Sequence, residues 1–133
     1  MVDISEKMLE QARLKAEQQD IKNIQFLEQD LLEKPLEKEF DLIVVCRVLH
    51  HMPDLDVALS LFHQHLKADG QLLLADFTKT ETNHHGFELV ELENKLAQFG
   101  FSSVHSQILY SAEDLFQGNY SELFLTVAQK SLA

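Results

Sequence analysis

Cysteine is all but missing from this chain. Cys46 is the only one among 133 residues, which excludes a disulfide framework and makes a reducing compartment, most simply the cytoplasm, the expected address. Cations are scarce as well: 11 Lys and Arg stand against 22 Asp and Glu, giving a formal net charge of −11. Carboxylates run from Asp3 to Glu122 with no basic cluster. DNA and RNA are therefore not expected partners, because no cationic surface is present to release their counterions. No stretch approaches the ~18 consecutive apolar residues of a membrane span. The opening Met1-Val2-Asp3-Ile4-Ser5-Glu6 has neither a basic nor an apolar leader region, so no targeting signal or anchor is expected. Glycine numbers four, and neither G-x-S-x-G nor G-x-x-x-x-G-K-[ST] occurs, which removes the hydrolase and P-loop signatures. The seven histidines and one cysteine form no H-x-x-x-H or C-x-x-C spacing, and no metal site is expected.

What is present is organised around Phe40-Asp41-Leu42-Ile43-Val44-Val45-Cys46. Residues 42–46 are apolar without alternation, as in a strand that helices cover on both faces. Arg47, His50 and His51 follow at once, placing ionisable groups at a strand's carboxyl end, where ligands sit in open α/β sheets.

Around this strand, residues 5–19 read as a helix with Ser5 as N-cap and Met8, Leu9, Ala12 and Ala16 on one stripe. A short strand is predicted at 23–29, and a loop at 31–38 around Pro35. A helix starting at Pro53-Asp54-Leu55-Asp56 carries Leu55, Ala58, Leu59, Phe62 and Leu66 and closes at Gly70. Residues 71–77 repeat the unbroken apolar strand pattern. Residues 79–85 are a polar loop, 88–99 a helix ending at Gly100, and 104–110 and 123–128 two final strands expected to pair antiparallel at one edge. The length fits one domain over 1–133. Alternation of this kind argues a mainly parallel α/β sheet with a C-terminal antiparallel strand pair.

The whole pattern resembles the class I S-adenosylmethionine-dependent methyltransferases. Val2-Asp3-Ile4-Ser5-Glu6 looks like the end of that family's second strand, where an acid binds the cofactor ribose; the resemblance puts Asp3 there, with Ile4 beside it. Phe26-Leu27-Glu28-Gln29-Asp30-Leu31 is similar to the segment that reads adenine, which gives those roles to Asp30 and Leu31. Phe40 to Cys46 with Leu49-His50-His51-Met52-Pro53 is similar to the fourth strand and its turn, so Cys46 and Arg47 would lie against the methionine part. The stretch from Gly70 to Phe77 resembles the fifth strand, with Asp76 at its ligand-facing end. What the likeness implies is a three-layer Rossmann-like sandwich, S-adenosyl-L-methionine as cofactor and a small-molecule acceptor.

One departure accompanies these matches. The family's glycine-rich turn would lie before Val2, and Gly70, Gly86, Gly100 and Gly118 form no G-x-G pair. The chain therefore reads as N-terminally truncated, lacking the first strand and the loop whose glycines let backbone approach the cofactor. The family's fourth strand, residues 42–46, would then expose an edge. Either the 23–29 strand pairs with it or a second copy covers it, and a homodimer is expected. Two functional readings stay open: a methyltransferase in which His50 or His51 serves as base for an acceptor that must lose a proton, or a non-catalytic interaction module on the same scaffold.

Overall fold

The computed structural model describes residues 1–3, 5–29, 31, 33–34, 36–49, 52, 54–78, 87–116 and 119–131. Two compact units divide the chain, Met1–Leu36 and Glu37–Ala133, and each is described by itself.

In the first unit, β1 (Val2–Asp3) and β2 (Leu27–Glu28) pair in parallel, Val2 against Leu27 and Asp3 against Glu28. The α1 helix (Glu6–Gln18) connects them. Ser5 caps it as the sequence predicts, its Oγ accepting from Met8 N at 3.2 Å. Leu9 and Ala16 are buried, whereas Met8, expected on the same stripe, is exposed. The 23–29 strand shortens to two residues, because β1 offers only two partners; Leu27 N donates to Met1 O and Gln29 N to Asp3 O, each at 2.9 Å. Arg13 covers the Phe26 ring at 5.3 Å.

The second unit is built on a four-stranded sheet in the order β3-β4-β6-β5, from β3 (Phe40–Cys46), β4 (Leu66–Phe77), β5 (Phe101–Phe116) and β6 (Asn119–Lys130). β3 and β4 are parallel; β6 is antiparallel to both β4 and β5. The predicted C-terminal antiparallel pair is present, and both strands run past the ends expected for them. Helices α2 (Leu55–Gln64) and α3 (Leu89–Gln98) contribute Ala58, Leu59 and Phe62, and Leu92 and Leu96, to one core with Val45, Leu72, Leu74, Phe124 and Ala128. Each of the Leu, Val and Phe side chains among them contributes roughly 1.5–3 kcal/mol when fully buried.

Local chemistry explains the helix ends. Asp54 Oδ1 accepts from Asp56 N at 3.0 Å and Val57 N at 3.3 Å, satisfying amides that the first turn leaves free. Asp56 also pairs with Lys95, tying α2 to α3. Contrary to expectation, α2 stops at a His65 C-cap and not at Gly70. Leu66 is fully buried as predicted but already belongs to β4. From Phe40 to Leu42 β3 advances two positions, while its partners Leu66 to Gln71 advance five, so residues 67–70 bulge from the ladder. Gly70 is needed within that bulge, since a Cβ there would lie 2.9 Å from Lys67 O. Gly100 does close α3, with φ +91° and room for a Cβ only 2.6 Å from His63 Nε2.

Burial on both faces, expected for residues 42–46, is found on one face only. Val45 packs into the core, but Leu42 and Val44 are 50% and 62% exposed and Cys46 is exposed as well. The registers Val44↔Leu73↔Val127 and Cys46↔Ala75↔Leu125 show why. Those residues share the sheet face opposite α2 and α3, and Leu73, Ala75, Leu125 and Val127 are only half-buried. Among the described residues no helix is long and apolar enough to cross a membrane.

Candidate functional site

Three strand ends carry the residues singled out by the sequence. The first is that of β1. Asp3 is half-buried, and its Oδ1 accepts from Ser5 N at 3.0 Å. Together, Asp3 and Ser5 form the head of α1, where unpaired amides and the helix dipole favour an anion. One carboxylate oxygen is thus engaged in shaping the turn; a carboxylate carries further lone pairs for a second donor. Leu31, half-buried in a turn, belongs to the same unit. Ile4 and Asp30 lie outside the described residues.

At the end of β3 the backbone turns sharply. Val45 is buried, Cys46 presents a free thiol at the surface, and Arg47 takes φ +57°. That left-handed conformation is uncommon without glycine and typical of sites where surrounding structure dictates the path. Here the path is fixed from both sides. Arg47 N donates to Ala75 O at 2.6 Å, which continues the β3–β4 ladder one residue past the strand. Two residues on, Leu49 is 2% exposed and anchors the turn in the core, and Met52 N donates to Leu49 O at 3.0 Å. The Arg47 guanidinium lies 5.4 Å from the Phe77 ring centroid, a cation–π contact spanning the β3 and β4 ends. His50, His51 and Pro53 lie outside the described residues.

At the end of β4, Asp76 is fully buried and its Oδ1 accepts from Phe77 N at 2.8 Å. It shares the helix-covered face with Leu72 and Leu74, two and four residues earlier. Next to it Thr78 is clamped to β6: its N donates to Glu122 O at 2.9 Å and its Oγ1 to Glu122 Oε1 at 3.1 Å. Phe87 N in turn donates to Phe77 O at 2.8 Å.

Within the second unit, then, Cys46, Arg47, Asp76, Phe77 and Thr78 gather at the carboxyl ends of parallel neighbours, the position where α/β sheets bind ligands. Phe77, Thr78 and Glu122 were not foreseen as part of this end. The Thr78–Glu122 contact joins residues 44 apart, and nothing in local spacing signals it. Asp3 and Leu31 belong to the first unit, Cys46 and Arg47 to the second. Among the described residues no group of three or more His, Cys, Asp or Glu could hold a metal ion.

Several solved structures share this fold. A putative methyltransferase (BH2331) from Bacillus halodurans superposes with a TM-score of 0.76 at 17% identity, covering 98% of this chain and 81% of that one. Haemonchus contortus phosphoethanolamine N-methyltransferase 2, solved with phosphomonomethylethanolamine and S-adenosylhomocysteine, gives 0.76 at 15% identity, with 98% and 42% covered. The [4+2]-cyclase SpnF gives 0.78 at 14% identity, with 99% and 65% covered. The chain thus spans less than half the length of the Haemonchus enzyme and about four-fifths of the Bacillus protein. At such identities the likeness concerns fold alone, and SpnF illustrates that one fold can carry other chemistry. No curated protein matches the sequence significantly. A family model described as a methyltransferase domain, by contrast, matches residues 1–126. The chain therefore belongs to the methyltransferase domain family, the class I S-adenosylmethionine-dependent methyltransferases of Rossmann-like α/β fold.

Proposed function

We propose that this protein transfers a methyl group from S-adenosyl-L-methionine to a small-molecule acceptor in the cytoplasm. The family match over residues 1–126 carries the reading. The residues present fit such a cofactor in kind: Asp3 has an oxygen beyond the one on Ser5 N to accept from ribose hydroxyls. Ile4 adjoins it, Asp30 and the Leu31 amide would read adenine, and the turn at Cys46 and Arg47 would border the methionine part. S-adenosylmethionine supplies a sulfonium-activated methyl group when bound. The protein's own task is then mostly alignment of donor and acceptor, which is the largest lever available for an in-line displacement. His50 or His51 would remove a proton from an oxygen or nitrogen acceptor. A net charge of −11 supports a small acceptor over nucleic acid.

The alternative, a non-catalytic interaction module, is favoured by one observation, the accessible apolar face around Leu42 and Val44. Calorimetric titration with S-adenosylhomocysteine separates the two. Binding with a micromolar Kd, weakened at least tenfold in both Asp3→Ala and Asp30→Ala, is the expected result, tenfold being about 1.4 kcal/mol. No heat at millimolar ligand would overturn the methyltransferase reading in favour of the module.

A further inference from the structure

The chain has two arginines, Arg13 and Arg47, and each lies over a phenylalanine ring. The Arg13 guanidinium is 5.3 Å from the Phe26 centroid, and that of Arg47 is 5.4 Å from the Phe77 centroid. A ring takes one flat side of a guanidinium and leaves the N–H donors around its rim pointing outward in plane. At Arg13 the rim is engaged, Nη1 donating to Glu10 Oε2 at 3.0 Å. At Arg47 the same posture stands open. Among the described residues no carboxylate lies within ion-pair distance of Arg47, in a chain where 22 Asp and Glu compete for 11 Lys and Arg.

Arg47 is exposed, yet it is held in place. Its backbone is fixed at φ +57° by the hydrogen bond to Ala75 O, and the ring beneath it, Phe77, is 2% exposed. Because Phe77 belongs to β4, the charge extends over the parallel β3–β4 pair and away from the outer side of β3. The acids at the same strand ends are engaged elsewhere: Asp76 Oδ1 accepts from Phe77 N, and Glu122 Oε1 from Thr78 Oγ1.

We propose that the methyl acceptor carries an oxyanion, a carboxylate or a phosphate, and that the open rim of Arg47 binds it. This rests on the methyltransferase reading above and narrows its substrate class. A guanidinium offers paired donors that match two oxygens of one oxyanion, fixing the angle of the bound group as well as its distance. In-line displacement requires that alignment of the acceptor. The resemblance sets the turn at residues 46–47 against the methionine part, and the Arg47 side chain reaches from that turn across the end of β4, where an acceptor would stand.

NMR of the arginine Nε–Hε groups tests the proposal. Two signals are expected, and Arg13→Gln removes one, so that the survivor belongs to Arg47. Inorganic phosphate and sodium acetate are titrated, at constant ionic strength, into the unmodified chain with and without saturating S-adenosylhomocysteine. In the saturated protein the Arg47 signal should shift and level off at an anion concentration about tenfold lower than for Arg13, whose rim Glu10 already fills. Equal responses of the two arginines, or none at Arg47, with S-adenosylhomocysteine bound would overturn the anionic acceptor and leave the methyltransferase reading standing. An Arg47 response seen without S-adenosylhomocysteine but abolished by it would give the guanidinium to the carboxylate of the cofactor, overturning the proposal in the same way. Failure of S-adenosylhomocysteine to bind at all removes the methyltransferase reading and this proposal with it.

Discussion

β4 has a strand on either side, β3 and β6, whereas β3 is the end of the row. On the same sheet face, Leu73 in β4 is half-buried, while its ladder partner Val44 in β3 is 62% exposed. The two strands run parallel, and both are dominated by aliphatic residues. Their difference in burial comes from their neighbours. An aliphatic side chain is buried when something lies across it, and position in the sheet decides that before residue type does. The same contrast holds between the two sheet faces. Ile43, Val45, Leu72, Leu74 and Phe124 meet α2 and α3, while Leu42, Val44, Leu73 and Val127 stay accessible to differing degrees.

Leucine-to-alanine substitutions test the contrast most strongly. Leu72→Ala is expected to lower the urea unfolding free energy by about 2–5 kcal/mol. Leu42→Ala, at a half-exposed position, is expected to stay within about 0.5 kcal/mol. Equal losses would break the comparison between the helix-covered and uncovered faces. A second, smaller effect belongs to the helix-covered side. Gly100→Ala places a Cβ on a left-handed backbone 2.6 Å from His63 Nε2, and the backbone part alone should cost about 1–2 kcal/mol, read as a lower thermal midpoint.

The smallest effect is one of pH. Burial of the His63 ring, aided by the nearby Lys130 charge and opposed by a hydrogen bond to the Gly100 backbone, holds its pKa below the usual 6.5. The unfolded chain therefore binds a proton more readily than the folded one. The stability that neutral His63 contributes is complete above pH 6.5 and is lost as pH falls from there through the folded value. His63→Gln should flatten the pH dependence of the thermal midpoint across that window. An unchanged slope would remove His63 from the account.

Much of this fold is legible in the sequence, for reasons that differ by element. Ser5 and Asp54 announce helix starts because a short side-chain acceptor next to free amides has few other uses. Leu92 and Leu96 announce a buried stripe, and Gly100 announces the stop. Gly70 deceives: a glycine after an apolar helix reads as a cap, yet this one serves close backbone packing inside β4. The strand at residues 23–29 shrinks to Leu27–Glu28 because pairing length is a property of the partner strand. The exposure of Leu42 and Val44 is hidden from local pattern for the same reason. At the candidate site, Asp3, Cys46 and Arg47 stand at strand ends as expected. The left-handed Arg47 backbone and the Thr78–Glu122 clamp arise from tertiary contacts, which no spacing encodes.

The insertion of β6 between β4 and β5 has a bearing on how the molecule comes into being. β5 is made before β6 yet has no hydrogen-bonded route to β4 without it. During synthesis, β5, the third strand of this sheet in chain order, stays unpaired with the first two until residues around Leu123–Lys130 emerge. Final closure of the sheet, with Phe124 and Ala128 as the last pieces of the core, therefore waits on translation of the twelve-residue β6.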